Sequence, residues 1–293
     1  MWFNNATIYH CEYPKDLNIS LAIAEQALKP CPPHARFIYG WAPVFNAAFT
    51  RDVAGCTLVC LGKEERVLPR SVVNRVLAER VLQLETQRGY AVKRAEKAQI
   101  AEDVEFELLP KAFCVQKNLF ALFDHTKQRL IINTSSKNQA AQMLAMLHKS
   151  ISDLHVEPLN CPDKLALRFT SWFMHPETLP NNMQLASDCV LFSLEDENKR
   201  VNCKGYSTGD EEITALLSKG LVAGELSLIW NERVQFTLTQ DLTFKRLKCL
   251  DILQNDLEEL NALEDPEQQQ DAALVLLAGE LNGLCDQVYA GLL

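Results

Sequence analysis

The chain has 293 residues, of which 47% are hydrophobic, and its formal net charge at pH 7 is −9. Together with a mean hydropathy of −0.10, these values are typical of an ordinary soluble globular protein of one or two domains. The start, MWFNNATIYHCEYPKD, lacks the basic and apolar regions of a secretory signal, and all apolar runs are far shorter than the roughly 20 residues of a membrane span. We therefore exclude a secreted or membrane-spanning protein and predict a cytoplasmic one.

Ten cysteines are scattered along the chain without a CxxC pair. In the absence of a secretory signal, this pattern predicts reduced thiols. Cys56 and Cys60 have the spacing to share one face of a strand, but no histidine and no second cysteine pair lies close in sequence. We therefore expect no metal site at this pair, and no cofactor is predicted.

The negative charge is concentrated at the C-terminal end. Residues 251–293 contain ten Asp and Glu and no Lys or Arg, a charge of −10 in a chain of net −9, so residues 1–250 carry +1. Such an asymmetry indicates either a nucleic-acid-binding body or an interacting tail. For the tail by itself, a solvated acidic helix is the simpler expectation.

The first predicted elements are a strand at residues 2–10, a helix at 17–29 that Pro30 ends, and a strand at 56–62. Two charged helices follow. In the first, Val72, Val76 and similar residues up to position 84 share one broad face, and Gly89 is a plausible stop.

The second charged helix is predicted from about Lys93 to Leu108, because Pro110 forbids its continuation. Residues 118–133 predict two strands around a polar turn. Both faces of these strands are apolar, so we expect the hairpin to be covered on both sides. Residues 135–151 predict a helix with serine at its start.

The second half predicts a polar loop or hairpin at 194–212, a short helix from Glu211, three successive strands over 221–247, and acidic helices at the end. Strands cluster beside helices without regular βαβ alternation, so the fold class is α+β, with mixed or antiparallel sheets and long helices. The chain is predicted to be two-lobed. Its lobes are residues 1–158, with a helical excursion at 69–109, and residues 159–293, with a polar protrusion at 194–210 and the acidic helices.

One motif tests an enzymatic function. The residues Gly205-Tyr206-Ser207-Thr208-Gly209 fit GxSxG, the nucleophile elbow of α/β-hydrolases. However, the preceding residues are too polar for a buried strand, and the last histidine, His175, precedes Ser207. Thr208 followed by Glu211 instead predicts a capping box at a helix start. No nucleotide-binding or metalloprotease motif is present either, so no enzyme is predicted.

Basic residues form three groups. Residues 63–101 carry nine Lys and Arg against five Glu, and residues 111–137 carry five Lys and Arg against one Asp. The third group combines Lys199, Arg200 and Lys204 of the polar excursion with Lys245, Arg246 and Lys248 of the last strand. Such groups suit phosphates, yet no helix-turn-helix, zinc finger or RNP motif is present, so any binding would be independent of base sequence. The alternative interpretation of the basic groups is that they are solvated helix faces and strand edges without a ligand. The candidate DNA-binding residues are Arg75, Lys93, Arg94, Lys97, Lys111, Lys117, Lys127, Arg129, Lys199, Arg200, Lys204, Lys245, Arg246 and Lys248.

Several stretches together resemble one family along the whole chain. They are WFNNATIYH at the start, KEERVLPRSVV at 63–73, ELLPKAF at 107–113, ELSLIWNERVQFTL at 225–238, TFKRLKCLD at 243–251 and LLAGELNGL in the tail. Their order and spacing resemble RdgC, the family of bacterial recombination-associated proteins.

The resemblance implies a ring-shaped homodimer with a basic hole through which duplex DNA passes, nucleoid association, and restraint of the recombinase RecA, without catalysis. Lys111 takes the place of an arginine usual in the family and is expected on the DNA-facing surface, at the start of an extended chain. Phe113 is implied to lie near the contact that closes the ring, with core packing as the alternative. Lys204 falls on a segment that is more basic in the family. The acidic helices are expected outside the ring.

The predicted function is therefore non-sequence-specific binding of mainly double-stranded DNA by an encircling dimer that modulates or inhibits RecA-dependent recombination. The alternative is a protein-interaction antagonist of a recombinase, without affinity for DNA. Whether RecA is contacted directly is left open.

Overall fold

Two antiparallel sheets and eight helices make up the part of the chain that the computed structural model describes, which is residues 2–14, 17–159, 165–196, 199–206 and 210–292. The α+β fold class, with antiparallel sheets and long helices, is confirmed. The ring-shaped dimer stays a prediction.

The first sheet has seven strands in the order β2-β4-β5-β6-β1-β7, with β3 paired to β4. The predicted hairpin at 118–133 is confirmed as β5 and β6, although β5 begins five residues earlier than predicted. The strands are β1 (Thr7–Glu12), β2 (Phe37–Ala42), β3 (Thr50–Val53), β4 (Cys56–Val67), β5 (Phe113–Asp124), β6 (Arg129–Ile132) and β7 (His155–Pro158).

The second sheet has five strands in the order β12-β11-β10-β8-β9. The three successive strands predicted at 221–247 are confirmed, and the polar excursion is a hairpin in which β9 pairs back onto β8. The strands are β8 (Met183–Ser193), β9 (Arg200–Cys203), β10 (Leu221–Trp230), β11 (Val234–Thr239) and β12 (Phe244–Cys249).

The helices mostly follow the predicted pattern. Gly89 ends α2 with φ of 74°, a left-handed conformation that glycine adopts without strain, and α4 begins after the cap Ser136. The helices are α1 (Ile19–Ala24), α2 (Arg70–Arg88), α3 (Arg94–Leu108), α4 (Lys137–Ser150), α5 (Leu165–Met174), α6 (Glu211–Ser218), α7 (Asp251–Asn261) and α8 (Pro266–Leu292).

Two local predictions were wrong. Helix α1 ends at Ala24, because Gln26 and Leu28 exchange backbone hydrogen bonds with Trp41 of β2 instead of continuing the helix. Helix α6 is capped by Asp210, whose carboxylate accepts a hydrogen bond from the backbone of Glu212 at 3.0 Å. Thr208 and Ser207, on which the capping box and the nucleophile elbow rested, lie outside the described residues.

The first sheet is covered on both faces, as its apolar strands predicted. Phe123 packs with α1 and α4 in one hydrophobic cluster, whereas its neighbour Leu122 packs on the other side in a cluster that includes the second sheet and α8. A backbone bridge between Ala6 and Phe244 also links the two sheets. The division into lobes at residue 158 stays a prediction, because this second cluster contains residues from both sides of it.

The acidic end of the chain is mostly exposed over α7 and the start of α8, as expected of a solvated acidic helix, but the rest of α8 packs against the body. Helix α8 buries nine residues, among them Leu277, Leu281 and Val288. Its carboxylates pair with basic residues of the body: Asp271 Oδ1 lies 2.6 Å from Nε of Arg51, and Glu280 Oε1 lies 2.7 Å from Nη2 of Arg233. No helix among the described residues is both long and apolar enough to cross a membrane.

Candidate nucleic-acid interface

A groove crosses one face of the second sheet. Its two halves, with volumes of about 320 and 240 Å³, share Asp188, Thr237 and Arg246. Ser227 and Thr237 line it, and both residues are almost fully buried. The opposite face carries the apolar residues of β10 and β11 that pack in the core, such as Leu228 and Phe236.

Four of the predicted DNA-binding residues line this groove, and they come from opposite edges of the sheet. Arg200 and Lys204 lie on or just after β9, whereas Arg246 and Lys248 lie on β12. In a flat sheet, edges four strands apart would be separated by about 19 Å. Because the sheet is curled, these edge residues line one groove, and the third basic group of the sequence becomes a spatial cluster. Of the remaining two members, Lys199 is exposed beside β9. Lys245 lies on β12 and pairs with Glu225 of β10, but it is not part of the groove lining.

A β-bulge in β12 coincides with Arg246, one of the cations of the groove. Thr237 is paired with Lys245 and Gln235 with Lys248, so β12 has one residue more than β11 over this stretch. The extra residue coincides with Arg246, whose φ is +55°. A bulge re-aims side chains, and here Arg246 lines the groove together with Lys248, while Leu247 between them is buried in the core.

Two carboxylates moderate the charge. Asp188 accepts a hydrogen bond from the backbone of Gly205 at 3.3 Å. Glu225, on β10, pairs with Lys245 at 3.0 Å and with Arg200 at 3.6 Å. Four lining cations against these two carboxylates give the groove a net charge of +2. Sequence reasoning missed both acids, although a lone Glu inside the apolar strand LVAGELSLIW is a signal that could have found Glu225.

The helical excursion carries four more candidates. Helices α2 and α3 pack against each other. Arg75 on α2, Arg94 and Lys97 on α3, and Lys93 just before α3 are exposed. Other cations of this region are engaged with carboxylates of α3: Arg80 pairs with Glu107, Arg88 with Glu96 and Arg36 with Glu105. Within the described residues, none of the four candidates takes part in such an ion pair. The structure does not bring them to the groove lining.

Lys111 and Phe113 lie at the joint between α3 and β5. The expected extended chain at Lys111 was wrong, because Leu109–Lys111 form a 3-10 turn and the strand begins only at Phe113. The ammonium group of Lys111 is 3.6 Å from Glu107 and the side chain is well exposed. Phe113 is 87% exposed, so core packing is excluded for it. Its strand partner Val67 is also exposed.

Lys117 lies on β5 in a separate setting. Its ammonium group and that of Lys63 lie 3.0 and 3.1 Å from the same oxygen of Glu65. Hydrogen bonds from Lys117 and then Lys63 lower the pKa of Glu65 below its ordinary value. A second pocket of about 230 Å³ opens here, lined by both lysines and by amide side chains such as Asn118 and Gln139.

Lys127 and Arg129 are held by the last helix. Both pair with Asp286 of α8, and Arg129 Nη1 lies 2.7 Å from Asp286 Oδ1. Burial alone would raise the pKa of Asp286, but hydrogen bonds from Lys127 and Arg129 outweigh it and lower the pKa. Only 14% of the Arg129 side chain is exposed. Arg129 is therefore engaged inside the fold, whereas Lys127 forms its ion pair at the surface.

Comparison with known proteins places the whole chain in one family. A family model described as "RdgC: Putative exonuclease, RdgC" matches residues 1–292. The chain belongs to the RdgC family. Among its relatives, a recombination-associated protein RdgC of Sodalis glossinidius is 31% identical, over 100% of this chain and 97% of the relative. Proteins of the same name from Aeromonas hydrophila and Pseudoalteromonas translucida are each 30% identical, over 100% of this chain and 98% of each relative.

The two kinds of description differ on catalysis. The RdgC family model carries the words "Putative exonuclease", whereas the RdgC relatives are named only for recombination. Across the residues that the structure describes, no three His, Cys, Asp or Glu side chains are grouped so that they could hold a metal ion. The nine cysteines among these residues are all free thiols. The match to the RdgC family model and to the RdgC relatives confirms, at the level of the family, the resemblance seen in the sequence motifs.

Proposed function

We propose that this protein binds DNA without sequence specificity, encircles the duplex as a ring-shaped homodimer in the nucleoid, and modulates or inhibits RecA-dependent recombination. The observation that carries the proposal is the groove with net charge +2 on the second sheet, in a chain that belongs to the RdgC family over residues 1–292. We propose no catalysis, in keeping with the recombination-based names of the relatives.

The groove has the chemistry of a phosphate-binding surface. Arg200 and Arg246 offer guanidinium forks, and Lys204 and Lys248 offer point charges, all suited to phosphate oxygens. Volumes of about 320 and 240 Å³ are far too small for a duplex, so a single sugar-phosphate strand of it would enter. Binding through phosphates carries no base information, which accounts for the proposed lack of sequence preference.

The dimer is supported by the apolar surface at the tip of β4 and β5. Phe113 and Val67 are paired across the two strands and both are exposed, as is Val115 two residues along. Contiguous exposed apolar side chains mark interaction sites on soluble proteins. A second copy covering this surface would add its own groove to the assembly. Two such sets of cations around one opening would reinforce each other's field.

Sizing by light scattering, alone and with a short random-sequence duplex, tests dimerisation and binding together. We expect a particle of twice 33.1 kDa that takes up one duplex per dimer at low salt and releases it at moderate salt. A protein that binds RecA but no duplex at any salt would favour the interaction antagonist instead. Shortening of an end-labelled duplex by the purified protein in the presence of magnesium would contradict the absence of catalysis.

A further inference from the structure

Glu225 joins the two edges of the groove. It lies on β10, the middle strand of the second sheet, and its side chain is 16% exposed. One carboxylate oxygen, Oε1, is 3.0 Å from Nζ of Lys245, which belongs to one edge strand. The same oxygen is 3.6 Å from Nη2 of Arg200, which belongs to the other edge strand. A single, largely enclosed carboxylate thus lies between two cations from opposite edges of the sheet, Lys245 and Arg200.

We propose that Glu225 is an internal counter-ion that a DNA phosphate displaces when the sugar-phosphate backbone enters the groove. This inference rests on the proposed function and deepens it, because it names the group that regulates affinity at the same site. A carboxylate and a phosphodiester are both oxyanions and compete for the same Lys and Arg donors. Without DNA, Glu225 keeps Lys245 and Arg200 directed toward the groove. When DNA is bound, the negative charge of Glu225 repels the phosphate.

The geometry favours this role over that of a surface ion pair. An exposed pair is screened by water and salt and has little effect, but the Glu225 carboxylate is largely enclosed. The second acid of the groove, Asp188, differs from Glu225 because its carboxylate accepts a hydrogen bond from the backbone of Gly205. Glu225 is therefore the carboxylate whose interactions in the groove are with cations that would also bind phosphate.

The test is the affinity for a fluorescent random-sequence duplex, measured over a series of salt concentrations for wild type, Glu225→Gln and Glu258→Gln. Glu258 lies exposed on α7, so its variant removes the same charge outside the groove lining. We expect Glu225→Gln to bind roughly tenfold more tightly at low salt and its log–log salt slope to steepen by about 1 to 2, because two cations become available to phosphates. Glu258→Gln should change the affinity by less than about twofold.

Two further variants distinguish the loss of the Glu225 charge from changes in folding or in side-chain shape. Glu225→Thr removes the carboxylate with a residue that suits a strand, and it should show the same gain as Glu225→Gln. In a Lys245→Gln background the gain from Glu225→Gln should shrink, since part of the released charge is absent. Thermal melting of each variant confirms that it is folded.

The outcomes separate the two proposals. If wild type binds duplex and Glu225→Gln binds no better than Glu258→Gln, or binds more weakly, Glu225 is a structural ion pair and the inference is wrong while the proposed function stands. If neither wild type nor any variant binds duplex, the proposed function itself fails. Binding by Glu225→Gln but not by wild type would support the counter-ion and contradict the proposed function of the unmodified protein.

Discussion

Nη1 of Arg129 lies 2.7 Å from Oδ1 of Asp286, so a strand in the first sheet is tied by an ion pair to the last helix of the chain. Lys127, at the neighbouring turn, pairs with the same carboxylate. The charge pattern of the sequence assigned these two cations to DNA and described the acidic end as a solvated helix. In the folded chain these two cations pair with Asp286 of the acidic end, whereas the groove of the second sheet brings together four other predicted DNA-binding residues.

The Asp286 ion pairs should make stability depend on pH. The pKa of Asp286 is lower in the folded protein than its ordinary value of 3.8. Its stabilising effect is therefore present above the unfolded-state pKa and is lost as the pH falls through the lower folded-state pKa. We expect Asp286→Asn to melt up to about 3 °C below wild type at neutral pH, with a gap that closes below about pH 4. Thermal unfolding of both proteins from pH 7 down to pH 3 measures this difference in melting temperature. A difference that stays constant with pH would contradict a stabilising role of the Asp286 carboxylate.

The internal ion pairs also predict which cations matter for DNA. Lys127→Gln should change duplex affinity by less than about twofold, because Lys127 lies outside the groove lining and its ammonium group is paired with Asp286. Lys248→Gln, in the groove, should reduce the magnitude of the log–log salt slope by about 0.9, the loss of one phosphate contact. Salt titrations of the two variants side by side give the comparison. Equal losses for both would remove the groove from its proposed role.

Arg246 allows binding to be separated from stability. With φ at +55°, it lies in a region that costs a residue with a side chain about 1 kcal/mol and that glycine occupies freely. Arg246→Gly should therefore leave the free energy of unfolding unchanged within about 1 kcal/mol and weaken duplex binding several-fold. Arg246→Ala should lose the same affinity and be less stable than the glycine variant. Urea denaturation and duplex titration measure the two effects, and wild-type affinity in the glycine variant would exclude a role for this guanidinium.

Phe113 should be needed for dimerisation and not for folding. Its side chain is 87% exposed, so Phe113→Ser removes almost no core contact and should shift the melting temperature by no more than about 2 °C. Light scattering should show the variant as a 33.1 kDa monomer at concentrations where wild type is a dimer. Leu21→Ser, which removes an exposed apolar residue of α1, is the matched control and should remain dimeric. A dimeric Phe113→Ser protein would place the interface elsewhere.

Local chemistry was enough to predict most elements. The prolines, Gly89 and the apolar spacing set the limits of α2 and α3 within a few residues, because helix ends depend on the residues at the ends themselves. The apolar faces of β5 and β6 predicted a strand pair covered on both sides, because burial on two faces requires apolar residues at every position. The family resemblance rested on such short segments and their order.

The site could be predicted only in part, because its geometry depends on contacts far apart in sequence. The groups around Arg200 and Arg246 were recognised as basic, but only the curl of the second sheet brings its two edges to one groove. The bulge at Arg246 follows from the pairing of β11 with β12 and has no signature in TFKRLKCLD. The partners of Asp286 lie more than half the chain away, so periodicity carries no information on them.

The most direct test of the account compares wild type with a variant in which Lys204, Arg246 and Lys248 are all changed to Gln, by duplex binding over a range of salt concentrations. All three residues line the groove and are exposed, so the variant should fold and dimerise normally. The account predicts that wild-type affinity falls steeply with salt and that the variant's slope is shallower by about 2.7, the equivalent of three phosphate contacts. An unchanged slope and affinity in a folded triple variant would contradict it.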